Sequence, residues 1–263
     1  MVQNRPYTSF AEIYDAWQRL YGLDYAILVA PRVNQQLARY VGRPKRLIDL
    51  ACGTGTHTLL QSHGQTHVLG VDLSPAMLAQ ARIRARDSGK PVRFVQGDMR
   101  SLDVELPVDA ITCLYASLNH LLSLDDLSRT FRRVAHHLRP GGVFVFDLNT
   151  QIAFETLWRN SVTEHGQGFA LHRSFRSNGP YTTMQIRIER PGLSPIDDRL
   201  EARWFEPSDV RNVLSTSQLQ FQELSRFNPF PSVAVSNLKE LWTVTHTPTH
   251  TPTRMSFAWA RIQ

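Results

Sequence analysis

Leu47-Ile48-Asp49-Leu50-Ala51-Cys52-Gly53-Thr54-Gly55-Thr56-His57-Thr58 is an apolar run that ends in a glycine-rich turn. Glycines between a strand and a helix let the backbone approach a ligand closely, so a nucleotide site is the first reading to test. The dinucleotide fingerprint G-x-G-x-x-G uses three glycines, the last so that the helix packs tightly with a pyrophosphate on its N-terminus. Gly53 and Gly55 fill two of these places, but Thr58 stands at the third. Asp49 is the stronger objection. A carboxylate just before the turn repels a bound diphosphate at a cost of about 1 kcal/mol or more in a partly screened site. The same carboxylate suits a ligand that carries an ammonium group and no phosphate.

Outward from this turn, short apolar or β-branched runs alternate with helical periods as far as residue 150, the pattern of a parallel α/β sheet. The strands read RLIDLA, HVLGVDL, VRFVQGD, DAITCLYA and GVFVFDLN. After the second, Ser74 is placed to cap a helix that has Pro75 in its first turn and Met77, Leu78, Ala81 and Ala85 as its apolar stripe. After the fourth, Leu124, Leu127, Phe131, Val134 and Leu138 recur at helical spacing until RPGG stops the helix. Right-handed crossovers place such helices on both faces of the sheet.

The flanks differ. Residues 8–42 read as mostly helical; with Tyr7 just ahead, Tyr14, Trp17, Tyr21 and Tyr25 suggest a lid as readily as plain core packing. Beyond residue 150, FALHRSFRS, YTTMQIRIER and RLEARWFEP alternate apolar and polar residues between NGP and PGLSP turns, as antiparallel strands do. SDVRNVLSTSQ follows as a helix, LQFQELSRF as a sixth strand parallel to the first five, and RMSFAWARI as a final antiparallel strand. Between these two strands, residues 228–254 read as a long loop, with Phe227, Phe230 and Trp242 expected as apolar walls over the acceptor pocket and HTPTHTPT as an exposed spacer. Pro248 rules out a helix that would present His246 and His250 together to a metal. The organisation expected is thus a helical lid over residues 1–44, a core over 45–150, an antiparallel β insertion over 151–207 and the rest of the core sheet over 208–263.

Composition narrows the class. With 42% hydrophobic residues the 263-residue chain builds a substantial globular core, and it has no apolar run long enough to span a bilayer. The first residues, MVQNRPYTSFAEIYDAW, lack the pattern of a secretory signal, which points to the cytoplasm. Two cysteines, Cys52 and Cys113, are too few for a structural zinc site and read as buried thiols. The net charge of +6 invites a polyanion, yet Arg82, Arg84 and Arg86, like Arg129, Arg132, Arg133 and Arg139, are interleaved with helical core positions, the look of solvated faces.

DLACGTG followed by GVDLSPAML, FVQGDMRSL and LRPGGVFVFDLN resembles the class I S-adenosylmethionine-dependent methyltransferases over residues 45–150. The resemblance implies an α/β, Rossmann-like, doubly wound seven-stranded sheet whose last strand is antiparallel, with S-adenosylmethionine as cofactor and no metal. It implies that Gly53 and Gly55 lie under the methionine portion and that Asp49 and the Leu114 carbonyl meet its ammonium group. Asp72, with Leu73 beside it, would take the ribose hydroxyls, Asp98 the adenine amino group and the Met99 backbone the ring. As a set these residues partner the polar groups of a cationic ligand.

The acceptor is read from the segment after the fourth strand. The Asn/Asp-Pro-Pro-aromatic motif of N6-adenine enzymes is missing there, and NPF at 228–230 reads as a turn. YASLNHL resembles instead the loop of small-molecule N-methyltransferases acting on aminosugars or on glycine and sarcosine, and IYDAWQRLYGLDYA resembles their lid. That resemblance makes His120 and Tyr14 the candidate methyl-transfer residues. An imidazole takes a proton from an ammonium acceptor near neutral pH, whereas its structural alternative is to cap the following helix. The expected partner is a small-molecule acceptor, with no specific nucleic acid and no membrane; the alternatives are O- or C-methylation of a small molecule, or an RNA or protein substrate.

Overall fold

The computed structural model describes residue 7 and residues 10–20, 24–104, 107–230 and 233–247. Strands β1 (Arg46–Leu50), β2 (His67–Asp72), β3 (Arg93–Gln96), β4 (Val108–Cys113), β5 (Leu138–Asn149), β10 (Leu219–Phe227) and β11 (Lys239–His246) form one sheet in the order β10-β11-β5-β4-β1-β2-β3. β11 alone runs antiparallel to its neighbours, so β10 is parallel to the first five strands, as expected. The position of the antiparallel strand is a correction. Much of the stretch expected as a loop, 228–254, is β11 itself, inserted between β5 and β10, while RMSFAWARI lies outside the described residues.

The sequence of β11 explains the displacement. Leu241-Trp242-Thr243-Val244 is short, apolar and β-branched, and every one of these residues is buried. The indole of Trp242 stacks on Phe146 of β5 at 5.9 Å and 4° between planes, and its N–H donates to the Glu240 carboxylate. Trp242 is therefore a core residue. Neither it nor Phe227, which is buried against α2 (Tyr25–Tyr40), nor Phe230 lines the large cavity described below. NPF does form a turn: Asn228 Oδ1 accepts from the Phe230 N–H at 2.7 Å.

Helices cover both faces, as a sheet of doubly apolar strands requires. Phe144 and Phe146 of β5 pack with α5 (Leu124–His137) and α7 (Pro207–Ser215), whereas Val143 and Val145 face α2. α2 presents Tyr25, Val29, Val33 and Leu37 at four-residue intervals to the sheet, so most of this "lid" helix is a core helix. α3 (Thr56–Gln61) and α4 (Pro75–Asp87) enclose Leu59, Leu78, Ala81, Ala85 and Phe94; the Ser74 hydroxyl caps α4 by accepting from the Met77 N–H.

After α6 (Gln151–Leu157) a separate antiparallel sheet is built from β6 (Val162–Gly166), β7 (Phe169–Asn178), β8 (Tyr181–Glu189) and β9 (Ile196–Arg203). Its apolar face, Phe169, Leu171, Met184, Ile186, Ile188 and Leu200, takes Phe10 and Ile13 from the N-terminal segment, with α1 (Tyr14–Arg19) alongside. The N-terminal aromatics and this small sheet form one cap beside the carboxyl ends of the parallel strands. No helix among the described residues is long and apolar enough to cross a membrane.

Candidate active site

β1, β2, β3 and β4 deliver their site residues at or just beyond their carboxyl ends, where open α/β sheets hold their ligands. Beyond β1 the chain turns through Ala51, Gly53 and Gly55, all at positive φ. The Gly53 N–H donates to Asp72 Oδ2 at 2.9 Å and the Ser74 N–H to Oδ1 at 2.8 Å, so Asp72 ties the turn to the end of β2. Each of its oxygens keeps a further lone pair toward the cavity. Burial pushes the Asp72 carboxyl above the usual range, against the pull of these backbone donors.

Asp49 is buried at the floor between Thr58 and Thr112, whose hydroxyls donate to it at 2.6 and 2.9 Å. Gly53 and Gly55 have different tasks. A Cβ at Gly53 would enter open space, whereas one at Gly55 would meet the Ala81 Cβ at 3.0 Å and the Phe94 ring at 3.1 Å. Gly55 accordingly does not line the cavity; it allows the loop to pack on α4.

The cavity holds about 710 Å³, within the range of small-molecule sites. Asp49, Gly53, Asp72 and Leu73 line it from the first two strands, and Asp98, Met99 and Leu114 from the next two. Asp98 differs from expectation. Its carboxylate is gripped by the Arg100 guanidinium at 2.6 to 3.1 Å and accepts from the Arg100 N–H, which holds its pKa below the usual range. The Leu114 carbonyl already accepts from the Ser117 hydroxyl at 2.7 Å, leaving one lone pair.

His120 and Tyr14 both face this cavity, but they are not partners. It is the Tyr7 hydroxyl that lies 2.9 Å from His120 Nε2. His120 Nδ1 is 2.8 Å from the Glu201 carbonyl, which only accepts, so Nδ1 carries the proton and Nε2 accepts from Tyr7. Burial lowers the His120 pKa, the Glu201 carbonyl opposes this, and the Lys239 charge adds to it. Tyr14 packs edge-on against Tyr7 and Tyr115 as a wall of the same cavity. Sequence reasoning named Tyr7 only as one of the N-terminal aromatics, because no periodicity or motif ties it to His120.

α1 closes the cavity over the glycine turn. Asp15 accepts from the Thr54 hydroxyl at 2.6 Å and pairs with Arg84 of α4. Among the described residues no Lys or Arg pairs with Asp49 or Asp72, so two carboxylates lie on one cavity wall without a cationic partner. Those two acceptors fit a ligand bearing ammonium and sulfonium charge and oppose a diphosphate placed directly against them.

Residues 47–142 match the family model for a methyltransferase domain. Over this stretch the chain is similar to class I methyltransferases. It is 37% identical over 137 residues to a dTDP-4-amino-2,3,4,6-tetradeoxy-D-glucose N,N-dimethyltransferase of Saccharopolyspora spinosa, covering 52% of this chain and 53% of that protein. The chain thus spans about half the length of that curated relative. Among solved structures it superposes on an S-adenosylmethionine-dependent methyltransferase from Clostridium acetobutylicum with a TM-score of 0.76 at 25% identity, covering 92% and 99% of the two chains. An amino pentose methyltransferase from Micromonospora echinaspora gives 0.70 at 25% identity over 89% and 97%. These likenesses extend through the small sheet that the methyltransferase family match does not cover.

Proposed function

We propose that the chain transfers a methyl group from S-adenosylmethionine to the nitrogen of a small-molecule amine, with a nucleotide-linked amino sugar as the leading acceptor class. The observation that carries this reading is the His120 imidazole, held by Tyr7 and Glu201 in the same cavity that the buried carboxylates Asp49 and Asp72 line. The names of the relatives support the acceptor class.

S-adenosylmethionine supplies an activated methyl group on a sulfonium. Asp49 and the Leu114 carbonyl are placed for the ammonium group and Asp72 for the ribose hydroxyls. The Asp98 carboxylate, neutralised by Arg100, and the Met99 backbone bound the adenine side. Methyl transfer needs alignment and exclusion of water more than covalent help. The amine lone pair forms the new N–C bond as the C–S bond breaks, its electron pair staying on sulfur. An acceptor arriving as ammonium first gives its proton to His120 Nε2, which becomes available when the Tyr7 hydroxyl turns away.

Arg84, Arg133 and Arg139 are engaged with Asp15, the Leu102 carbonyl and Asp109, which favours the small-molecule reading over a specific nucleic-acid partner. The test is to incubate the protein with S-adenosylmethionine and, separately, a dTDP-linked amino sugar, its hydroxyl analogue, glycine and a mixed RNA, following S-adenosylhomocysteine release. Turnover with the amino sugar or glycine alone supports the reading. Turnover only with the hydroxyl analogue or RNA overturns it.

A further inference from the structure

Asp147, near the end of β5, is wholly buried and accepts four hydrogen bonds. Oδ2 takes the Tyr25 hydroxyl and the Tyr115 N–H, the latter at 3.0 Å; Oδ1 takes the Ala116 N–H and Lys239 Nζ, the latter at 3.2 Å. Tyr115 and Ala116 lie at φ 63° and 59°, two consecutive left-handed residues with no glycine between them. Each such residue costs about 1–2 kcal/mol relative to the right-handed region. A pair of them turns successive N–H groups toward one point, a concavity that binds an anion. Here the anion is the Asp147 carboxylate.

What this strained pair carries is the catalytic loop. Leu114 precedes it, and the single helical turn Ser117–His120 follows it. Farther along, Asn119 is fixed by the Asn149 N–H and the Arg203 carbonyl, so both ends of the turn are anchored in β5 and the cap. The countercharge comes from β11: Lys239 is buried, with its ammonium 4.7 Å above the Tyr25 ring and 5.5 Å above that of Tyr115.

We propose that Asp147, with Lys239 as its countercharge, is the positioning residue of the methyl-transfer site: it holds the left-handed Tyr115–Ala116 backbone and thereby fixes His120 and the Leu114 carbonyl relative to each other. The inference rests on the methyltransferase reading for what is being positioned. That a carboxylate holds this backbone rests on the hydrogen bonds alone.

The test uses the full chain with ¹⁵N-labelled histidine, reading the His120 tautomer by NMR, and calorimetry with S-adenosylhomocysteine. Wild type should show the Nδ1–H tautomer alone. In Asp147→Asn the His120 signals should average between tautomers and cofactor-product affinity should fall about tenfold. Adding Ala116→Gly, which relieves the Cβ penalty at that φ, should restore both. Should Asp147→Asn alone fail to fold, Asp147→Asn with Lys239→Met leaves no buried ammonium unpaired and carries the same expectation. A folded variant that keeps the wild-type His120 signal, or glycine that restores nothing, overturns the proposal. If the wild type does not bind S-adenosylhomocysteine but the tautomer results hold, the cofactor reading falls and the positioning role stands.

Discussion

The Tyr7 hydroxyl donates to His120 Nε2 across 113 residues of sequence, joining the N-terminal segment to the loop beyond β4. His120→Ala should lower the methylation rate by about 10²-fold with nearly unchanged cofactor affinity, the pattern of a lost general base. Tyr7→Phe removes a bond made to the neutral ring, so the His120 pKa should rise and the acid limb of the kcat/KM profile should move to higher pH. A pH series from 5 to 9 on both variants checks this; a Tyr7→Phe profile identical to wild type would leave Tyr7 as packing only.

Asp72→Ala deletes the acceptor of the Gly53 N–H and the one proposed for the ribose. Cofactor binding should weaken by about 1–3 kcal/mol, as for other charge-assisted bonds. Calorimetry reads this directly, and wild-type affinity would remove Asp72 from the site.

The two glycines should separate stability from binding. Gly55→Ala combines φ +82° with contacts at 3.0 Å to Ala81 and 3.1 Å to Phe94, so it should destabilise by roughly 1–3 kcal/mol. Gly53→Ala has φ +55° but open space, so its stability loss should be the smaller and its loss of cofactor affinity the larger. Urea melts and calorimetry on the same pair would show the crossing, and parallel losses would refute it.

Trp242→Ala should destabilise by about 3–5 kcal/mol, because it empties the site stacked on Phe146 in the middle of the sheet. Acceptor KM in the folded fraction should stay at the wild-type value. A raised KM without loss of stability would return Trp242 to the acceptor pocket.

Stability should fall on mild acidification. Burial lowers the pKa of His57, His120 and His137, so the unfolded chain binds more protons than the folded one below the unfolded value of about 6.5. The stabilising difference is fully present above that pH and is lost as pH drops through it toward the folded values. Both ring nitrogens of His57 are buried with no hydrogen-bond partner among the described residues, so His57→Leu should flatten the decline between pH 7 and 5 at little cost at pH 7. Thermal melts at both pH values measure the slope, and an unchanged slope would exclude His57 as its source.

The sequence by itself determined the sheet of parallel strands and the line of site residues at its edge. Asp49, Asp72, Asp98 and Leu114 each sit at a strand terminus whose position follows from local period and turn residues, and all of them do line one cavity. Ser74 and Pro75 likewise fixed the start of α4 because capping is a contact between near neighbours. What only the tertiary structure decided depends on contacts between residues far apart in the chain. Pairing with β5 on one side and β10 on the other makes Lys239–His246 the antiparallel strand, with Trp242 stacked on Phe146. Tyr7 rather than Tyr14 reaches His120, because Phe10 and Ile13 dock on the small sheet and bring Tyr7 to the β4 loop. Arg100 claims Asp98, and Asp147 gathers donors from three separate segments around a backbone that no local propensity would favour. Hydrogen bonds of that range carry no periodicity, so the sequence records their residues without recording which of them meet.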